Sequence, residues 1–270
     1  MNTYRRLMVL PTDGNSLYAE AHTKSLVVRR AVGAGLPLAG VGCAIRRDAL
    51  EALSVVRGGA PFDESSLVED YESGLEIAKL GYSGCLARVV DRPGGELIAT
   101  RAYFPETLAT AVRQKARWIT GIALAGWDRT GWGRPLALTD HWMRARDRRA
   151  PIAVVVLAAG YLSLFLWLLS AAVHVVSGTE PVPLGPLLDR LLLINAGLLG
   201  WRTACRVAFT WRLYGRVEGF RAVPRLIVGN LVDLLAMARA VRCYGAMAQG
   251  TPPVWDKTAH HFPDLRHETA

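Results

Sequence analysis

Gln114, Arg117 and Trp118 form a Gln-x-x-Arg-Trp pattern near the middle of the chain. At spacings of three and four residues the three side chains share one face of a helix. Well upstream stands an acidic pair, Glu69-Asp70, at the head of another predicted helix. Together these residue types suit a displacement in which a hydroxyl gives up its proton and a diphosphate departs. Asp70 suits the base that takes the proton. Arg117 suits the diphosphate, because its planar fork donates to two phosphate oxygens at once, and Gln114 donates from the same face. Donors fixed where negative charge develops are what such a departure needs. Trp118 offers a flat apolar surface on which a ring can stack. Each motif also has a plainer use. An acidic pair at a helix start complements the helix dipole, and a Gln-Arg-Trp face beside a membrane can anchor at its surface.

The elements that must carry these residues are readable in part. Residues 40–46, Gly-Val-Gly-Cys-Ala-Ile-Arg, read as a short buried strand entered through glycines. Asp48 is the expected cap of a helix over 49–55. Ser65 or Ser66 is the expected cap of the helix that carries Glu69 and Asp70, with acidic residues filling its first turn and Gly81 as its stop. A strand over 83–90, a turn at Pro93-Gly94-Gly95 and an extended segment over 96–102 follow. Pro105-Glu106 opens the next helix, which runs to about Trp127 and carries Gln114, Arg117 and Trp118. Pro11 to Gly14 reads as a turn. Strands alternating with helices predict an α/β sheet domain over 1–135.

Residues 136–150 form a basic juxtamembrane segment in which four arginines crowd Arg144 to Arg149. Residues 151–176 then contain no Asp, Glu, Lys or Arg. At 1.5 Å per residue they reach roughly 39 Å, enough to cross a bilayer. A second span is expected over 187–211, with Arg202 and Arg206 reaching back to the cytoplasmic surface. The arginine-rich side is cytoplasmic by the positive-inside rule, and the loop between the spans lies outside. The stretch 225–243 is shorter and carries Asn230, Asp233 and Arg239. It reads as a helix lying on the cytoplasmic surface, with a third span as the alternative. The membrane region is thus 151–245, and 246–270 is a polar cytoplasmic tail.

The formal charge is +9, from 32 Lys and Arg against 23 Asp and Glu. Arginines flanking spans account for it, and no nucleic-acid module appears. The four cysteines make no CxxC pair and no zinc spacing, so they read as free thiols in a reducing compartment.

Residues 40–132 closely resemble the second half of the catalytic domain of family 2 glycosyltransferases. The matching stretches are Gly-Val-Gly-Cys-Ala-Ile-Arg-Arg-Asp-Ala-Leu at 40–50, Val-Glu-Asp-Tyr-Glu at 68–72, Lys-Leu-Gly-Tyr at 79–82 and Arg-Gln-Lys-Ala-Arg-Trp at 113–118. The wording is closer still to one membrane subfamily, the phage adsorption protein B type. Residues 100–107, 121–127 and the terminal Trp-Asp-Lys-Thr-Ala-His at 255–260 have counterparts there. The resemblance implies a partial GT-A-type domain followed by two transmembrane helices and an interfacial helix, in a bacterial inner membrane with the catalytic part cytoplasmic. It implies an inverting transferase that moves a sugar from a nucleotide-diphosphate donor to a growing exopolysaccharide or envelope glycan. By the same resemblance Asp70 is the general base and Glu69 its acidic neighbour, Gln114 and Arg117 contact the diphosphate, and Trp118 is the acceptor platform. Relatives use Mg or Mn held by a DxD motif, pair with an outer-membrane export partner, and often carry a cyclic-di-GMP-responsive domain after the membrane part.

No DxD motif and no nucleotide-binding strand precede residue 40 in this sequence. The expectation is therefore the C-terminal portion of a longer enzyme, whose cation ligands lie outside the chain. Two other readings stay open. One is a catalytically inactive membrane subunit that pairs with a separate N-terminal half; the other is an envelope scaffold or phage-receptor component.

Overall fold

The computed structural model describes residues 24–253, apart from 39, 41, 96–97, 99–106 and 182. The turn expected at 11–14, nearly all of the segment 96–102, the helix opening at Pro105-Glu106 and the tail motif 255–260 lie outside the described residues.

Helices dominate the described part. Helix α1 covers residues 24–31. Helix α2, Arg47–Arg57, ends where Gly58 turns left-handed and its N–H caps the carbonyls of Ser54 and Val55. Asp48 does not cap this helix. Arg46 holds the capping position, and Asp48 sits in the first turn, gripping the Arg46 guanidinium at 2.6 Å. Helix α3, Glu69–Lys79, carries three carboxylates in its first turn, where the dipole favours them. Its capping residue is Val68. Ser66 works one step earlier, its hydroxyl accepting the Val68 N–H. Gly81, at φ 96°, turns the chain out of the helix as expected.

Helix α4, Leu108–Trp118, is capped by reciprocal bonds between Thr107 and Thr110. The chain does not leave the helix at Trp118. It widens into one π-helical stretch, Ile119–Leu124, and resumes as α5, Ala125–Thr130. Thr120 returns its hydroxyl to the Ala116 carbonyl at 2.8 Å, a bond that loosens the ladder at this point. Gly126 is required by the widening, because the Gly121 carbonyl occupies the space where a Cβ would stand. Helix α6, Leu138–Asp147, lies within what the sequence presents as a basic connector.

Helix α7, Ala150–Ser177, has the length and apolar composition to cross a membrane, and none of its 18-residue apolar window is covered by the rest of the protein. It is the only such helix among the described residues. Helix α8, Pro186–Tyr214, is of similar length but interrupted by arginines. The chain reverses at Gly215, φ 92°, into α9, Arg216–Ala248, which continues well beyond the 225–243 read from sequence and tolerates Pro224 within it. Gly219 lets the two helices close on each other, since a Cβ there would stand 2.9 Å from that of Trp211.

Among the described residues there is no strand, so the α/β character predicted from sequence is not what this part of the chain displays. Residues 43–46 and 82–89 have no regular secondary structure. A strand exists only through the backbone it pairs with. The beginning of a hairpin is present, where the Ile98 N–H reaches the Val89 carbonyl at 2.9 Å across the turn at Gly94.

Two small apolar clusters hold these helices. Val68, Tyr71 and Leu75 of the α3 region take Trp118 and Ile122 against them. Ala116, Ile119 and Ala123 pack on Ala236, Met237 and Ala240 of α9, with Ala150 and Val154 of α7 alongside.

Candidate functional site

The acidic turn is pinned from several sides. Residues 36–38 cross α3 at Gly74, where a Cβ would stand 2.6 Å from the Leu38 nitrogen and 2.7 Å from the Pro37 Cα. Only glycine lets that segment lie so close. The Leu38 N–H in turn donates to the Asp70 carbonyl at 3.3 Å. Tyr71 is buried and donates its hydroxyl to Asp147 of α6 at 2.7 Å, and the buried Arg29 pairs with the same carboxylate. Burial next to Asp147 pushes the Tyr71 phenol far above its usual range. Glu72 is also buried, and Arg129 of α5 donates Nε to both its oxygens at 3.0 Å while reaching Asp63 with another nitrogen. Desolvation raises the Glu72 carboxyl above its ordinary value, with Arg129 opposing the shift. Asp63 is held down to about 2, first by the Ser65 hydroxyl, while desolvation opposes, and then by the Ser65 N–H and Arg129.

Asp70 immediately precedes these two anchored residues. It is half-buried, its Oδ1 accepts the Tyr71 N–H at 2.7 Å, and its Oδ2 lies where a Cβ on Gly40 would come to 2.7 Å. The carboxylate thus borders the glycine loop that opens the 40–46 segment. Gly40 has φ 74°, a conformation and a proximity that both favour glycine.

The Gln-x-x-Arg-Trp helix meets this turn through Trp118, which packs on Val68, Tyr71 and Leu75. Gly121, one turn on, sits so close to Val68 that a Cβ would come within 2.7 Å of its Cγ2. Gln114 is buried, and Arg117 and Trp118 are half-buried. The structure therefore joins Trp118 to the residues flanking Asp70 on α3, and sets Gln114 and Arg117 on the helix that Trp118 ends.

Several residues that build this site are not marked in the sequence reading. Arg29, Asp147, Arg129 and Asp63 act over long chain separations, and no local pattern announces them. The Asp140–Arg144 pair is visible at i,i+4 spacing, and it does more than stabilise α6: Asp140 also accepts the Gly35 N–H at 3.0 Å. Arg148 is buried with its guanidinium 4.1 Å from the Trp127 ring centre, so part of the basic connector is interior. A pocket of about 260 Å³ lies at the opposite end of α3 from Asp70, bordered by Arg30, Lys79, Tyr82, Arg134 and Asp140.

Among the described residues no three His, Cys, Asp or Glu side chains converge in a metal cluster. Glu69 and Asp70 are adjacent carboxylates in the first turn of α3.

The profile of glycosyl transferase family group 2 matches residues 11–179, a stretch containing the acidic turn, the Gln-x-x-Arg-Trp helix and α7. The chain belongs to that family. Bacteriophage adsorption protein B of Escherichia coli strain K12 is 33% identical to it over 280 residues, covering 93% of this chain and 36% of the relative. Bacteriophage N4 adsorption protein B of Escherichia coli O157:H7 matches with the same identity and coverage. The chain thus spans 36% of the length of these curated relatives. No solved structure matches.

Proposed function

We propose that this chain carries the acceptor-activating and leaving-group side of an inverting glycosyltransferase that extends an exopolysaccharide or envelope glycan at a bacterial inner membrane. The observation that carries the reading is the packing of Trp118 on Val68 and Tyr71, which sets the Gln-x-x-Arg-Trp helix against the turn bearing Asp70. In this scheme Asp70 takes the proton of the acceptor hydroxyl. The hydroxyl oxygen forms the new bond to the anomeric carbon as the bond to the diphosphate breaks. The electron pair leaves on the diphosphate oxygen, where Arg117 and Gln114 stabilise it. Glu69 adds negative potential beside the base. The acceptor ring stacks on the part of Trp118 that the α3 cluster leaves uncovered. The divalent cation that family 2 enzymes generally use would supply further charge at the diphosphate.

The membrane part completes the scheme. Helix α7 spans the bilayer from its arginine-flanked start and α8 returns, with Arg202 and Arg206 toward the cytoplasm. Helix α9 rests on the cytoplasmic surface. Phe220, Val223, Ile227, Leu231, Leu235 and Val241 leave an exposed apolar stripe along it, while its other side packs on α4. That pattern supports seating in the lipid headgroup layer.

The test is transfer from nucleotide-sugar donors by membranes carrying the protein, edited at its own locus. Asp70→Asn is expected to cut turnover by about 10²- to 10⁴-fold, the usual worth of a positioned base. Unchanged turnover in that variant removes Asp70 from the role. The relatives' name, adsorption protein, favours a second reading, an envelope component without catalysis. An Asp70→Asn, Arg117→Ala double variant that keeps full envelope function and phage adsorption would support it.

A further inference from the structure

Helix α4 has two working sides. Trp118 faces α3, whereas Val112, Ala116 and Ile119 form the seam with α9. Lys115 lies three residues after Val112 and four before Ile119, so it belongs to the α9 side although it interrupts the Gln-x-x-Arg-Trp pattern. Its ammonium pairs with Asp233 of α9, and both side chains are largely shielded from solvent. Asp233 in turn sits in the buried run Gly229, Val232, Ala236, Met237 and Ala240, at the centre of the seam.

That seam is built mainly of alanines. Small side chains bring two helices close but leave shallow ridges and grooves, and so define their relative translation poorly. A single charged pair within such a contact is the feature that singles out one register. The pair also offsets charge, since Arg113, Lys115 and Arg117 place three cations within five residues of α4. A slip of α4 along α9 would carry Gln114 and Arg117 with it, by 1.5 Å for each residue of displacement.

We infer that Asp233 is a positioning residue for the transfer site: through Lys115 it sets the register of the Gln-x-x-Arg-Trp helix, and so places Gln114 and Arg117 against the leaving diphosphate. This rests on the function proposed above. It makes α9 a structural partner of the chemistry as well as a membrane rest.

The experiment uses Lys115→Asp, Asp233→Lys and the exchanged pair, each edited at the native locus and assayed in membranes. Turnover, donor KM, the amount of inserted protein and amide hydrogen exchange of 108–118 are measured together. Each single reversal is expected to lower turnover by about tenfold to a hundredfold, the cost of a misplacement near 1 Å. Inserted protein and donor KM stay within twofold of the parent's. Exchange in 108–118 quickens, and the exchanged pair recovers both turnover and protection. Singles with parental turnover and protection overturn the inference, and so does an exchanged pair no better than the singles. Absence of transfer in the parent itself defeats the proposed function alone, because protection of 108–118 in the singles and the exchanged pair still decides the register.

Discussion

At the residue scale, α3 divides its labour over three consecutive positions. Asp70 borders the glycine loop, Tyr71 is tied to Asp147 and Glu72 to Arg129. The Glu72 pair is the more exposed to mutation, because its carboxylate is buried and its partner comes from a distant helix. Arg129→Ala leaves that carboxylate uncompensated and is expected to cost about 2–3 kcal/mol, somewhat below a fully buried pair since Arg129 keeps a third of its side chain in water. Glu72→Gln should cost less, because an amide carries no charge to desolvate. Thermal unfolding of the two variants in the same detergent checks the order, and equal losses would contradict it. The Asp63 carboxyl adds a pH signature. Its folded value lies near 2, below the ordinary 3.8, so it contributes stability above about pH 4 that is lost as pH falls toward 2. Asp63→Asn should flatten the acid limb of the unfolding profile in that window and lower stability above pH 5 by an amount that does not vary with pH.

At the scale of elements, glycines mark where one segment must approach another. Gly74→Ala forces a Cβ into the backbone of residues 36–38 and is expected to destabilise by about 1–3 kcal/mol. Gly126→Ala meets the Gly121 carbonyl and must collapse the π stretch, rotating α4 relative to α5 and lowering transfer along with stability. Gly160→Ala is the control, since nothing stands within 4 Å of its Cβ and alanine favours the helix. Loss of melting temperature in the first two and none in the third is the expected pattern. Much of this was open to sequence reasoning only in part. The acidic first turn and Gly81 delimit α3, and the uncharged run from Pro151 announces α7, because both signals are local. The π stretch is the mostly apolar run Ile-Thr-Gly-Ile-Ala-Leu, whose composition suits α and π winding alike. Helix α6 hides for the opposite reason. Its arginines resemble solvated juxtamembrane charge, and their burial depends on Asp140, Thr130 and the Trp127 ring, all brought by folding. The predicted strands at 40–46 and 83–90 have suitable residues, but strand formation belongs to a pair of segments and no single one of them carries it.

At the scale of the molecule, a helical body gathers around α4 and α9 next to an uncovered apolar helix. Inserting an arginine midway along α7, as in Leu164→Arg, is expected to cost about 2.5–3.5 kcal/mol of insertion. The check is the fraction of chains whose 178–185 loop reaches a reporter on the far side, and an unchanged fraction would mean that α7 does not span. The same α7 touches α9 through Tyr161, whose hydroxyl accepts a hydrogen bond from Asn230 at 3.0 Å. The uncovered apolar helix and the helix behind the Gln-x-x-Arg-Trp face are thus mechanically joined.

The crowded start of α3 also bears on how its gene can change. Each residue turns a helix by about 100°, so inserting one codon between Val68 and Asp70 would bring Asp70 to the place where Tyr71 now reaches Asp147 and Tyr71 to the place where Glu72 meets Arg129. Point substitutions there alter one function at a time. A frame-preserving insertion or deletion exchanges all of them at once, which makes this turn a segment where length, more than composition, is under constraint.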